Sequence, residues 1–326
     1  MVSEKNGTWG KATALSGASG PNSVSSVSCA SAGNCTAGGN GDKQPFVVSE
    51  KNGTWGKTIE VPGLAALAAG SPDGVSSVSC ASAGNCAVAG YYGTAPAAAF
   101  VVSEKNGSWG TAIEVPGSEA LGGMTLASVS CASAGDCAAD GFFGDRYGEA
   151  PLGPLVVSEK NGTWGKAILV PGTNADARNG ASAVSCPSPG NCVAGGDLAP
   201  AIERPYQAFV ASEKNGTWGK AFEVPGLTAL NAGGNADVQS VSCASAGNCA
   251  AAGSYQDGSS HQQAFVVSEN NGSWSKAIEV PGSAALNTGG FAQVVSVSCA
   301  PAGYCAAGGE YSVPSGDEEP FVVSRT

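Results

Sequence analysis

The sequence predicts an all-β protein, a six-bladed β-propeller of four-stranded antiparallel blades with one hairpin disulfide per blade. Three observations predict it. The nonapeptide VSEKNGTWG at residues 2–10 returns in close copies at 48–56, 102–110, 157–165 and 211–219, and as VSENNGSWS at 267–275. All 12 cysteines fall in six C-x5-C pairs. The chain begins inside a repeat, with a turn and its last strand, and ends before that strand would come again.

Successive first cysteines lie 51, 51, 55, 57 and 56 residues apart, which makes residues 1–326 a single domain of six repeats. Strand A is S-V-S-C, as in Ser77–Cys80, and the turn A-S-A-G-N follows it. Strand B starts at the second cysteine, as in Cys86-Ala-Val-Ala-Gly. A variable loop leads to strand C, F-V-V-S-E, and K-N-G turns the chain into strand D, T-W-G-K-A-I-E-V, which Pro-Gly ends in five copies. The first copy departs, reading KATALSG. β-branched and aromatic residues fill the runs, and Gly, Asn and Pro punctuate them. Asn-Gly supplies the positive-φ pair of a tight hairpin, and the tryptophan packs between blades. No helix is expected; L-A-A-L-A-A at 64–69 is the one short temptation.

An even count of cysteines at fixed spacing means disulfides or metal. Zinc takes about four ligands, and the chain has one histidine, His261. The expected bridges are Cys29–Cys35, Cys80–Cys86, Cys131–Cys137, Cys186–Cys192, Cys243–Cys249 and Cys299–Cys305, with no metal and no cofactor. They place the protein in an oxidising compartment, secreted or extracellular. A net charge of −11 argues against nucleic acid and anionic membranes. No apolar run is long enough to insert in a membrane. No signal peptide opens the sequence, and Met1 reads as an added start on an internal fragment. The phase of the ends predicts a ring in which the first strand D completes the last blade. Strand C is written at both ends, as Val2–Glu4 and Val322–Ser324, so one copy must be displaced.

The segment S-E-K-N-G-T-W resembles the Asp-box of sialidase-like propellers, S-x-D-x-G-x-T-W, over about seven residues in each repeat. The carboxylate of the box is absent and the spacing is one residue shorter. The resemblance implies a structural turn between the third and fourth strands of a blade, away from any active site. The C-x5-C repeat is similar to repeats of secreted actinobacterial proteins of undefined function.

In such a blade the A–B and C–D turns share one end, and the B–C loops and D–A links share the other. The first end is nearly invariant and the second carries the variation, so the variable loops are the expected binding face. Six residues after each second cysteine stand Gly41, Tyr92, Phe143, Leu198, Tyr255 and Tyr311. These rings either line a platform for sugars or pack between blades. Residues that break the repeat lie near them, including Asp145, Arg146, Tyr147, Asp197, Arg204, Tyr206 and His261. Arginine suits bidentate recognition, and the chain has only four. Neither a catalytic arginine cluster nor a Ser-His-Asp pattern is legible. The expected function is therefore a secreted, non-catalytic binding propeller, monomeric and directed at a glycan or cell-surface ligand. The alternatives are a glycoside hydrolase or lyase with one central-channel site and a structural module of a larger exported protein. Six sugar sites built on the repeated Trp and its neighbouring Glu are the rival to a purely structural repeat.

Overall fold

The computed structural model describes residues 1–5, 7–17, 23–42, 44–68, 73–93, 97–144, 153–173, 180–199, 205–300 and 303–325. The chain is all-β: the described residues form six antiparallel sheets of three to five strands that follow the predicted order A-B-C-D where D is present, and one separate two-stranded sheet at the N-terminus. The second sheet is typical: Asp73–Ser82, Asn85–Tyr92, Ala98–Lys105, then Ser108–Trp109 and Ile113–Glu114. Each of the six larger sheets carries one disulfide, and the six bridges are the six predicted. The contacts divide the chain into two compact units. One is Met1–Ala139, Phe143–Glu149 and Val157–Ala167; the other is Asp140–Phe142, Ala150–Val156 and Ile168–Thr326.

The repeated residues have local reasons. Asn106 and Gly107 both take positive φ, 51° and 79°, as do their equivalents in the other described K-N-G and N-N-G turns, the geometry a two-residue hairpin turn requires. Gly84 of the A–B turn accepts from Gly107 N–H at 2.8 Å. A Cβ on Gly84 would stand 2.7 Å from that nitrogen, so only glycine fits. Strand A carries a β-bulge between Val75 and Ser77. Its serine hydroxyls reach one repeat onward: Ser77 and Ser79 accept from the backbone N–H of Val129 and Cys131 at 3.2 and 2.9 Å. Ser240 and Ser242 do the same for Val297 and Cys299, both at 2.9 Å.

Packing between successive sheets builds the core. Val47 and Leu64 meet Val75, Val78, Val88 and Phe100 in the first unit. Val210 and Leu227 meet Val238, Val241 and Phe265 in the second. Three expectations are corrected. Strand D is two short pieces, both paired with strand C. It breaks because Ala112 turns its N–H to Pro62 O of the preceding repeat, 2.7 Å away, which also gives the Pro-Gly pair its role. Helices do form in the links, at Leu64–Ala68, Leu227–Leu230 and Ser283–Leu286, where buried Leu64 and Leu227 anchor single turns. The first strand D, Thr8–Trp9, pairs with Glu4–Lys5, and the last sheet has three strands, Ala292–Cys299, Cys305–Ser312 and Glu318–Ser324. Each copy of strand C keeps the partner nearest in sequence, the cheaper loop to close.

Candidate functional site

Strand alternation decides which side chains near the loop end reach a ligand. The aromatic position six residues after the second cysteine points into the core. Tyr92, Phe143 and Tyr255 are buried, and Tyr92 and Tyr255 belong to the clusters between sheets. Their hydroxyls donate to Glu114 Oε2 at 2.8 Å and Glu279 Oε2 at 3.1 Å. Tyr311 packs half-buried against the last core cluster. The predicted platform at Tyr92, Phe143 and Tyr255 is therefore a set of packing residues, each turned inward by the period of two.

The preceding position faces the other way, and in the second unit it gathers polar groups. Asp197 ends strand B of the fourth sheet, Asn191–Leu198, opposite Gly180. Asp237 opens strand A of the fifth sheet, Ala236–Ser245, opposite Ser254. Both acids line a cavity of about 320 Å³ with Tyr206, Gln239, Ser254 and Gln262. Gly180 N–H donates to Asp197 Oδ1 at 3.3 Å, and Ser254 Oγ donates to Asp237 Oδ1 at 2.7 Å. Gln239 donates to Gln293 Oε1 at 2.9 Å, and Gln293 donates to Glu310 Oε1 at 2.6 Å, which continues the polar row into the last sheet.

Burial, and then the charge of Asp237, pushes Asp197 up to about 7. Burial also raises Asp237, against the hydrogen bond from Ser254. Two carboxyls that share one poorly solvated place resist ionising together.

Of the other predicted residues, Tyr206 lines this cavity. His261 is exposed in a turn built on Asp257, with Nδ1 3.8 Å from Asp257 Oδ2 and its backbone N–H on Asp257 Oδ1 at 3.0 Å. Asp145, Arg146, Tyr147 and Arg204 lie outside the described residues. Asp237 was missed by sequence reasoning. Its signal was available: it is the strand-A partner of the fifth residue after Cys249, the repeat position that Asp197 holds after Cys192.

No protein-family model matches the chain, and no curated protein matches it. Solved structures do. An ulvan-type polysaccharide lyase is 12% identical with a TM-score of 0.51, over 91% of this chain and 78% of that one. A protein of unknown function from Dyadobacter fermentans is 13% identical with a TM-score of 0.49, over 95% and 96%. The fucose-specific lectin from Aleuria aurantia is 11% identical with a TM-score of 0.42, over 92% and 91%. The likeness to the lyase supports a propeller fold. At these identities it speaks to fold alone. Among the described residues no helix is long and apolar enough to cross a membrane. The six disulfides are consistent with an extracellular protein.

Proposed function

We propose that the chain is a secreted carbohydrate-binding propeller whose principal site is the loop-end cavity at Asp197 and Asp237. One observation carries this reading: residues that depart from the repeat converge there on a polar cavity of about 320 Å³. Sugar hydroxyls both donate and accept, and the row of carboxyl, carboxamide and hydroxyl groups offers both partners. The ulvan lyase has the same fold type around a carbohydrate ligand. Binding without catalysis remains the leading reading. The acid pair specifically favours one alternative, a single-site glycoside hydrolase or lyase, because a carboxyl held near 7 suits a general acid or base.

The ring is part of the proposal. Val27 is 54% exposed where its equivalent Val78 is 5%, and Val322 is 86% exposed where Val47 is 0%. The first and last sheets thus each present a face that is covered in the inner sheets, and we infer that these faces close on one another. A glycan array, followed by a hydrolase and lyase substrate panel on the hits, tests the function. Retention of a glycan with no product is expected. Product formation would move the assignment to the enzyme, and absence of any glycan hit would leave a structural module.

A further inference from the structure

The nearly invariant end of the sheets carries a reactive dipeptide and, beside it, a turn that holds it still. Asn106–Gly107 forms the tip of the C–D hairpin in the second sheet, with the asparagine exposed to solvent. The A–B turn of the same sheet takes both of its backbone donors. Gly107 N–H donates to Gly84 O at 2.8 Å, and Asn106 N–H donates to Asn85 Oδ1 at 3.1 Å. Asn85 is itself fixed, because its Nδ2 donates to Ser82 Oγ at 3.0 Å and to Ala83 O at 3.3 Å. The Cys80–Cys86 disulfide closes the neck of this turn, directly across the strand pair. The arrangement recurs at Asn52–Gly53, Asn161–Gly162, Asn215–Gly216 and Asn271–Gly272. There the glycine N–H bonds to the A–B glycine carbonyl measure 2.8–2.9 Å. The asparagine N–H bonds to the A–B side chain measure 3.2–3.4 Å. Asp136 takes the acceptor position in the third sheet.

Asparagine before glycine is chemically unstable, since no Cβ hinders attack by the glycine nitrogen. That nitrogen loses its proton and bonds to the asparagine Cγ. The Cγ–Nδ2 bond breaks, the nitrogen leaves as ammonia, and a five-membered succinimide remains. Water then opens the ring to aspartate or, with one extra backbone carbon, to isoaspartate. The exposed tips offer the carboxamide and water freely, so the fold can withhold only the nucleophile. It does so at two points. The glycine N–H is committed to a carbonyl, which opposes its deprotonation. The asparagine N–H and the glycine N–H also flank the two rotatable bonds of the asparagine backbone. With both anchored, the nitrogen cannot swing toward Cγ until both bonds break. Reaction then requires local opening of the A–B turn away from the tip, and the disulfide restricts that opening.

We propose that these five Asn–Gly tips are latent modification sites, each guarded from succinimide formation by the A–B turn beside it, with the disulfide as the brace of that guard. The proposal does not depend on the loop-end site or on closure of the ring. The test holds the disulfide-intact chain at pH 8 and body temperature and follows aspartyl and isoaspartyl products at each tip by mass spectrometry of digests. All five tips should react at least about tenfold more slowly than in the same chain unfolded in urea. Asn85→Ala removes one acceptor from the guard of Asn106 and leaves the Gly84 carbonyl in place. Asn106 should then react severalfold faster, with the other four tips unchanged. Joint replacement Cys80→Ser and Cys86→Ser removes the brace and should bring Asn106 toward its unfolded rate. Folded rates equal to those in urea, an Asn106 rate that either variant leaves unchanged, or a rise shared by all five tips in Asn85→Ala would each overturn the proposal.

Discussion

Ser103 Oγ donates to Glu159 Oε1 at 2.8 Å, across a separation of 56 residues, and accepts from Trp164 Nε1 at 3.2 Å. The serine belongs to one copy of S-E-K-N-G-T-W, and the glutamate and tryptophan belong to the next. Ser3, Glu50 and Trp55 repeat the arrangement at 2.7 and 3.1 Å. Part of the repeated motif is therefore a clasp between neighbouring sheets.

Breaking the clasp should cost stability in proportion to what is stranded. Trp164→Ala removes a buried indole and should destabilise by about 3–5 kcal/mol. Ser103→Ala leaves a carboxylate and an indole N–H unpaired and should cost about 1–3 kcal/mol. Urea denaturation of both variants measures this. Wild-type stability in Trp164→Ala would mean that the ring does not hold the sheets together.

Non-reducing digestion with mass spectrometry should return six local bridges, each within one C-x5-C pair. Each bridge closes a short loop and should contribute about 2 kcal/mol on the chain-entropy model. Free thiols or bridges between repeats would contradict the hairpin assignment.

Deleting residues 1–11 removes Ser3 from Glu50 and Trp55, and Met1 from the cluster of Ala37, Phe46 and Val48. The melting temperature should fall and the uncovered sheet should promote aggregation. An unchanged melt would show that the N-terminal hairpin supports nothing.

The repeat made the sheets, the disulfides and the tight turns legible, because each rests on contacts between successive segments of one repeat. Strand order followed from hairpin connections alone. The breaks in strand D were hidden because their cause, Ala112 N–H on Pro62 O, lies one repeat away. The aromatic position six residues after the second cysteine turns inward, a parity that residue type alone does not reveal. Tyr92 and Tyr255 stood out by residue type, while the adjacent alternating position carried the accessible groups. Asp237 gained its meaning only when sheet stacking placed it beside Asp197, 40 residues earlier in the chain.

Asp197 should leave a signature in stability against pH. Its folded value of about 7 lies above its ordinary 3.8. The folded state therefore holds the proton longer than the unfolded one, and the contribution is fully present below about pH 4 and lost as pH rises through 7. Asp197→Asn keeps an acceptor for Gly180 N–H and should gain stability relative to wild type between pH 4 and 8. An equal difference at both pH values would mean that Asp197 titrates normally.

The most direct test of the loop-end site is calorimetric titration of the best array glycan at pH 5 and pH 8, for wild type and Asp197→Asn. A carboxylate formed above about 7 is the stronger acceptor for sugar hydroxyls. Wild-type affinity should therefore rise severalfold at pH 8, and Asp197→Asn should abolish the rise. Equal affinities at both pH values, unaltered by the substitution, would contradict a carbohydrate site at Asp197 and Asp237.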